Sequence, residues 1–379
     1  MTGTGLLVVA GEASGDQRAA RLLVALRPRI PDLAPFGLGS DASREAGLET
    51  VADSREIAVV GISEALSVLP RAAEIFDRLL AETERRRPRA AVLVDAPDFN
   101  LRLAQQLAWR GVPVVYYVSP QIWAWRRGRV RTIADCVDRM LVLFPFEVPF
   151  YRAHGVDVVH VGHPLVDEIP VLPHAWDELR PGATPETARL ALLPGSRRSE
   201  VDALLPTLLG AATRIAAQRP TEVRLILAPS LPRATVEPRL AGAGVEVEIV
   251  ERDRFAAIAD SHLALCASGT ATLETALLGT PMLIGYRLSG WTYALARHLV
   301  RVPHVGLVNL VLGRRAVPEL IQRDFTPERV AARAIELLAS RRDVETMRAD
   351  LADVRPALGR PGASERAAEA VAEVLERPR

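Results

Sequence analysis

Apolar residues fall along this chain in two alternating textures: short unbroken runs, and longer stretches where they recur every three or four positions. The runs at 6–10, 91–95, 112–118, 140–144 and 158–161 predict strands, and the periodic stretches at 17–26 and 101–110 predict amphipathic helices between them. Unbroken apolar strands separated by helices are the pattern of a parallel sheet covered on both faces. From 162 to 189 the texture changes, with Pro164, Pro170, Pro173, Pro181, Pro185 and Gly182 interrupting it, which predicts an interdomain linker. The rhythm then restarts with runs at 190–193, 223–228, 245–250, 263–267 and 282–286, helices lying between.

Two doubly wound α/β domains in tandem follow, spanning 1–165 and 166–345, with 346–379 as C-terminal helices. The segment 363–375 is a helix with no strand after it, and both the first domain and a partner subunit, as in a homodimer, are open to it. Ligands of such sheets sit at the carboxyl ends of the strands, and with two such domains the expected site is the cleft between them.

Composition narrows the function. A net charge of +1 over 379 residues gives no case for nucleic acid as the main partner. Arginine supplies all the basic charge. Cys136 and Cys266 are far apart, which suggests a reducing compartment and no disulfide framework. The seven histidines form no HExxH and no Cys/His cluster, and no Asp-x-Asp occurs, so no metal or other cofactor is expected. The start lacks a basic leader, and no run is long and apolar enough to span a bilayer.

Candidate chemistry collects where predicted strands end. Leu193-Pro194-Gly195-Ser196-Arg197-Arg198-Ser199-Glu200 leads from a strand into a helix. Backbone N–H groups at such a start attract anions, and two arginines add bidentate phosphate donors, so a diphosphate is the simplest ligand. An ordinary capped helix, with Glu200 in its first turn, explains the stretch equally well. Ser268-Gly269-Thr270-Ala271-Thr272-Leu273-Glu274 repeats the arrangement later, with Glu274 placed to accept from sugar hydroxyls. Gly11-Glu12-Ala13-Ser14-Gly15-Asp16 follows the first strand; it is neither GxGxxG nor GxSxG, which argues against a dehydrogenase and a hydrolase elbow. Asp95 ends a strand and Asp98 opens a helix, where a carboxylate serves as a general base or simply as a cap. Trp123 and Trp125 lie beside Arg126, Arg127, Arg129 and Arg131, a set that suits an amphipathic, phosphate-bearing partner or else a core pair beside a solvated face. The helix predicted at 62–87 carries Leu66, Leu69, Ala73, Phe76 and Leu80 near helical spacing and ends in Arg85, Arg86 and Arg87, a pattern of core packing or of contact with an anionic membrane.

Seven stretches in order, covering nearly the whole chain, resemble the bacterial lipid-A-disaccharide synthase family. They are VAGEASGD from Val9, DAPDFNLRLA from Asp95, YVSPQIWAWR from Tyr117, LVLFPFEVPFYRAHGVDVVHVGHPL from Leu141, LALLPGSRRSEV from Leu190, ASGTATLETALLGTPM from Ala267 and LVNLVLGRRAVPELIQ from Leu307. The resemblance implies two Rossmann-like domains of the GT-B type and an inverting, metal-independent glycosyltransferase. Its donor would be UDP-2,3-diacylglucosamine, its acceptor 2,3-diacylglucosamine 1-phosphate (lipid X), and its products the β-1′,6 disaccharide 1-phosphate and UDP. It also implies a cytoplasmic enzyme, peripheral on the inner membrane face. Residue by residue, it makes Asp98 the general base, with Asp95 competing, and Arg197 the group that neutralises departing UDP. Ser196, Arg198 and Glu200 match the diphosphate loop, and Ser268, Gly269, Thr270 and Glu274 the nucleotide region, with Glu274 on ribose. Asn309 and Glu319 match further donor positions, and Glu12, Ser14 and Asp16 the first-domain loop. Gln121 and Val308 depart from the family pattern and bear on substrate fit. The competing readings are an N-acetylglucosamine transferase or UDP-sugar epimerase of the same fold, and a non-enzymatic nucleotide-sugar binding module.

Overall fold

A computed structural model describes residues 3–56, 62–125, 128–288 and 303–377. Seven strands form one sheet: β1 (Thr4–Ala10), β2 (Leu33–Gly39), β3 (Glu49–Asp53), β4 (Ala90–Val94), β5 (Val114–Tyr117), β6 (Arg139–Val142) and β7 (Val158–His160), in the order β3-β2-β1-β4-β5-β6-β7. Six form another: β8 (Ala188–Leu193), β9 (Thr221–Ile226), β10 (Glu248–Val250), β11 (Leu263–Ala267), β12 (Met282–Tyr286) and β13 (Glu319–Ile321), in the order β10-β9-β8-β11-β12-β13. Every pairing is parallel. Both sheets start near the middle and reverse direction there, the doubly wound order of a Rossmann-like domain. The reversal falls between β1 and β4 in one sheet and between β8 and β11 in the other. A crevice opens outside the carboxyl ends of the strands at such a point, and that is where ligands of these sheets bind.

The chain divides into two units, Met1–Pro164 with Gly359–Arg379, and Leu165–Leu358. In the first, β1 sends Leu6, Val8 and Ala10 to one face and Leu7 and Val9 to the other. The first face packs on Leu22, Leu23 and Leu26 of the helix Ala13–Leu26, and on Ala367, Ala368, Val371 and Val374 of the C-terminal helix Ala363–Leu375. Arg366 Nε donates to the carbonyl of Val161 at 2.8 Å and ties that helix to the end of β7. The opposite face packs on Ile75 and Leu79, on Leu103 and Leu107 of the helix Pro97–Trp109, and on Ile133. Each such leucine, isoleucine or valine side chain, removed from water, stabilises by about 1.5–3 kcal/mol.

Two stretches behave differently from their sequence texture. Within the proline-rich stretch, Leu165, Val166, Ile169, Ala175 and Trp176 are buried, and Trp176 Nε1 donates to the carbonyl of His262 at 2.7 Å. It forms a wall of the second unit, because prolines interrupt regular structure without preventing apolar side chains from packing. Arg355 closes this wall, donating to the carbonyls of Val166 and Ile169 at 3.1 and 3.0 Å. In the helix Ile62–Arg86, Ile75 and Leu79 are fully buried and Phe76 and Leu80 pack partly against the same core, while Leu69 is 58% exposed. The side chain of Leu66 lies outside the described residues, and Arg85 and Arg86 pair with Glu82.

Candidate active site

The loop after β1 presents Glu12 and Ser14 to solvent at the start of the helix Ala13–Leu26. Asp16, one turn later, is buried. Its carboxylate accepts from the backbone N–H of Ser40 at 2.7 Å, from that of Ala42 at 3.1 Å and from the Ser43 hydroxyl. A buried carboxylate with these donors is a strut between the β1 and β2 ends, and its oxygens are engaged inside the unit.

Across the switch point, Ala10 of β1 lies beside Val94 of β4. The chain leaves β4 through two successive left-handed residues, Asp95 (φ 52°) and Ala96 (φ 44°), and leaves neighbouring β5 through a third, Val118 (φ 70°). Non-glycine residues in this region each cost on the order of 1 kcal/mol or more, and such strain concentrates at functional sites. Here the strain is held by hydrogen bonds. The carbonyl of Asp95 accepts from the Tyr116 hydroxyl at 2.6 Å and from Asn100 Nδ2 at 2.9 Å, and the Asp95 N–H donates to Tyr117 at 3.0 Å. The turn delivers Asp98 to the first turn of the helix Pro97–Trp109 with its side chain 76% exposed, where Arg129 Nη2 donates to Oδ1 at 2.6 Å. Asp95 itself is half-buried, and burial raises its carboxyl above the usual range against the opposing pull of Arg18.

The strand ends next door hold a group that sequence reasoning missed. Glu147 opens the short helix Glu147–Arg152 and is only 2% exposed. Trp123 Nε1 donates to its Oε1 at 3.1 Å and the Phe144 N–H to its Oε2 at 3.0 Å. Burial pushes its carboxyl up to about 7. The sequence signal was a lone carboxylate inside the apolar and aromatic stretch 141–151. Trp123 is buried and Trp125 is 41% exposed, whereas Arg126 and Arg127 lie outside the described residues.

In the second unit, the loop after β8 turns at Gly195 (φ 113°), where any Cβ would meet the Glu200 carboxylate. Glu200 Oε2 accepts from the N–H of Ser196 at 2.8 Å and of Arg197 at 3.2 Å, and Arg197 Nη1 donates to Oε1 at 3.0 Å. The helix Arg198–Ala216 therefore starts with the Glu200 carboxylate of its first turn already engaging two of the N–H groups expected to receive a diphosphate. The side chains of Ser196, Arg197 and Arg198 remain exposed, and Ser230 Oγ donates to the Ser196 carbonyl at 2.9 Å.

Across this switch point, Leu193 of β8 lies beside Cys266 of β11. Ser268, Gly269 (φ 152°) and Thr270 lead into the helix Thr270–Leu277. Glu274 is half-buried one turn inside; burial raises its carboxyl, and Arg254 Nη1 approaches to 3.7 Å. Ser268 Oγ donates to the carbonyl of Val305 at 2.9 Å. The N–H groups of Val305 and Gly306 donate in turn to Glu319 at 3.0 and 2.9 Å. Fully buried Asn309 donates to Glu319 Oε1 at 2.8 Å and to the Val317 carbonyl at 2.9 Å, and accepts from the N–H groups of Ala316 and Val317 at 2.8 and 3.0 Å. Ser268, Asn309 and Glu319 thus form one bonded group. Glu319 and Asn309 brace the 305–317 segment.

The lipid-A-disaccharide synthetase family matches residues 6–374 of the chain. Lipid-A-disaccharide synthase of Myxococcus xanthus (strain DK1622) is 47% identical over 373 residues, 98% of this chain and 97% of that protein. The enzyme of the same name from Syntrophus aciditrophicus (strain SB) is 42% identical over 367 residues, 96% of each. Among solved structures, MurG of Acinetobacter baumannii superposes with a TM-score of 0.59 at 13% identity, over 97% of this chain and 99% of that one. The UDP-GlcNAc 2-epimerase of Methanocaldococcus jannaschii, in complex with UDP-GlcNAc and UDP, gives 0.61 at 12% identity, over 97% and 99%. At such identities the structural likeness speaks for the shared fold alone.

Proposed function

As this chain belongs to the lipid-A-disaccharide synthase family, we propose that it transfers 2,3-diacylglucosamine from its UDP ester to the 6-hydroxyl of 2,3-diacylglucosamine 1-phosphate. The transfer inverts the anomeric centre and releases UDP. The observation that carries this reading is the pairing of loops at the two switch points: Glu12, Ser14 and Asp98 flank one, and Ser196, Arg197, Ser268 and Thr270 flank the other.

Asp98 takes the proton from the acceptor hydroxyl, since its carboxylate is exposed and oriented by Arg129 at the end of β4. Asp95 is the competing base and also shapes the turn beneath. Arg197, with Arg198 and Ser196 beside it, neutralises charge building on the departing UDP. Ser268, Gly269 and Thr270 bound the nucleotide, with Glu274 on ribose, held by Arg254. Asp16, Glu200, Asn309 and Glu319 keep the surrounding loops in shape. The acyl chains of both substrates favour peripheral contact with the cytoplasmic face of the inner membrane, where the exposed Leu69 of the helix Ile62–Arg86 would meet lipid. Among the described residues no helix is long and apolar enough to cross a membrane.

The test is turnover of the purified protein with UDP-2,3-diacylglucosamine and lipid X in detergent with EDTA, read as UDP release and a new disaccharide. Disaccharide in EDTA is the expected result. UDP binding without product would move the acceptor to another sugar or lipid.

A further inference from the structure

We propose that Glu147 is a positioning residue for the transfer, fixing the 119–125 segment that leads into Arg129, the partner of Asp98. This rests on the reading of the first unit as the acceptor side.

Three elements converge on the Glu147 carboxylate. The segment after β5 supplies Trp123 Nε1, the segment after β6 supplies the Phe144 N–H, and the helix Glu147–Arg152 supplies the carboxylate itself. Tyr151 from the same helix lies 2.7 Å, oxygen to oxygen, from Ser119, so the helix grips that segment at two points. The rings follow the same plan. Trp123 meets Phe146 edge-on at 4.8 Å between centroids, and Phe146 stacks on Phe144 at 5.3 Å.

A buried carboxyl among neutral donors is expensive to keep, and an apolar residue of similar size would fill the space at lower cost. What an apolar residue would not do is hold the indole. The 119–125 segment leaves β5 through the strained Val118 and enters a single turn, Gln121–Trp123, too short to fix itself. Its conformation therefore depends on outside anchors, and the helix Glu147–Arg152 bonds it twice, Glu147 at Trp123 and Tyr151 at Ser119. Six residues after Trp123, Arg129 begins the next helix and reaches Asp98. A shift of the segment moves the guanidinium that orients the proposed base, and a small misplacement of that kind is felt as rate.

The experiment compares wild type, Glu147→Gln, Trp123→Phe and the double variant. Three quantities are read: UDP affinity, kcat and KM for the acceptor, and backbone hydrogen exchange in peptides covering 119–129. Both single variants should lower acceptor kcat/KM by about tenfold or more while leaving UDP affinity within about twofold, and the double variant should be little worse than the poorer single, as for residues acting through one bond. Exchange should rise in 119–129 and stay unchanged in 190–216. If Glu147→Gln fails to fold, Trp123→Phe, which removes the indole donor and keeps an aromatic ring in its place, carries the test. Wild-type kinetics in a folded Glu147→Gln protein, or losses that multiply fully in the double variant, would overturn the role of Glu147 while leaving the transferase reading intact. Wild-type protein that makes no disaccharide would overturn both.

Discussion

Arg129 Nη2 stands 2.6 Å from Asp98 Oδ1, joining the start of one helix to the start of another across 31 positions of sequence. The Asp98 side chain is 76% exposed and that of Arg129 is 31% exposed, so the pair adds little to stability. Its effect is orientation: it aims a carboxylate outward from a strained turn that ends β4.

If Asp98 is the base, Asp98→Asn should lower kcat by about 10²–10⁴-fold, the usual worth of a general base, with UDP affinity unchanged. Steady-state kinetics and calorimetric titration with UDP separate the two. Asp95→Asn, in a protein shown to fold, is the control; a far larger loss there than at Asp98 would transfer the base role to Asp95.

Arg197→Ala removes an exposed guanidinium from the loop after β8 and its bond to Glu200. UDP affinity should fall by about tenfold to a hundredfold, the size of one or two charge-assisted hydrogen bonds, and kcat should fall with it. A variant that binds UDP normally would place the diphosphate elsewhere.

Asn309→Ala strands the N–H groups of Ala316 and Val317, the carbonyl of Val317 and one oxygen of Glu319 in a buried position. Unfolding in urea should show a loss of about 2–4 kcal/mol. Ser14→Ala, at an exposed site, should change stability by less than about 0.5 kcal/mol. Equal effects at the two positions would contradict the bracing role.

Glu147 makes stability depend on pH. Its folded carboxyl keeps a proton up to about 7, whereas the unfolded one releases it near 4.5. The folded state thus binds more protons in that window. The contribution is fully present below the lower value and is lost as pH rises to the upper one. Relative to Glu147→Gln, wild type should lose on the order of 3 kcal/mol between these limits. Tyr151, the titrating neighbour, is raised from its ordinary value by burial and stays neutral throughout. Urea unfolding at several pH values measures the difference, and a flat one would mean that Glu147 is not protonated in the fold.

The unbroken apolar runs at β1, β4, β8 and β11 were legible because central parallel strands are buried on both faces, and burial writes itself into composition. β2 was not, since Leu33–Gly39 carries Pro35, Gly37 and Gly39, and it forms between β1 and β3, which pair with it on either side. β3 and β13 were missed for another reason: each lies at a sheet edge and is partly exposed, with Glu49 and Asp53 in one and Glu319 in the other breaking the apolar run.

The sequence by itself determined two α/β units, the loops that end their inner strands, and the residue types those loops carry, because each follows from local pattern and spacing. Only the tertiary structure decided what those side chains hold. Nothing in the string of letters shows what Asp16, Glu200, Asn309 and Glu319 bond to, and in the fold each carboxylate or amide meets N–H donors of its own unit. Glu147 is a lone carboxylate in an apolar stretch of the sequence, and in the fold it is enclosed by donors 3 and 24 positions away. Hydrogen bonding and burial depend on neighbours brought together by the packing of separate elements, and no local pattern contains them.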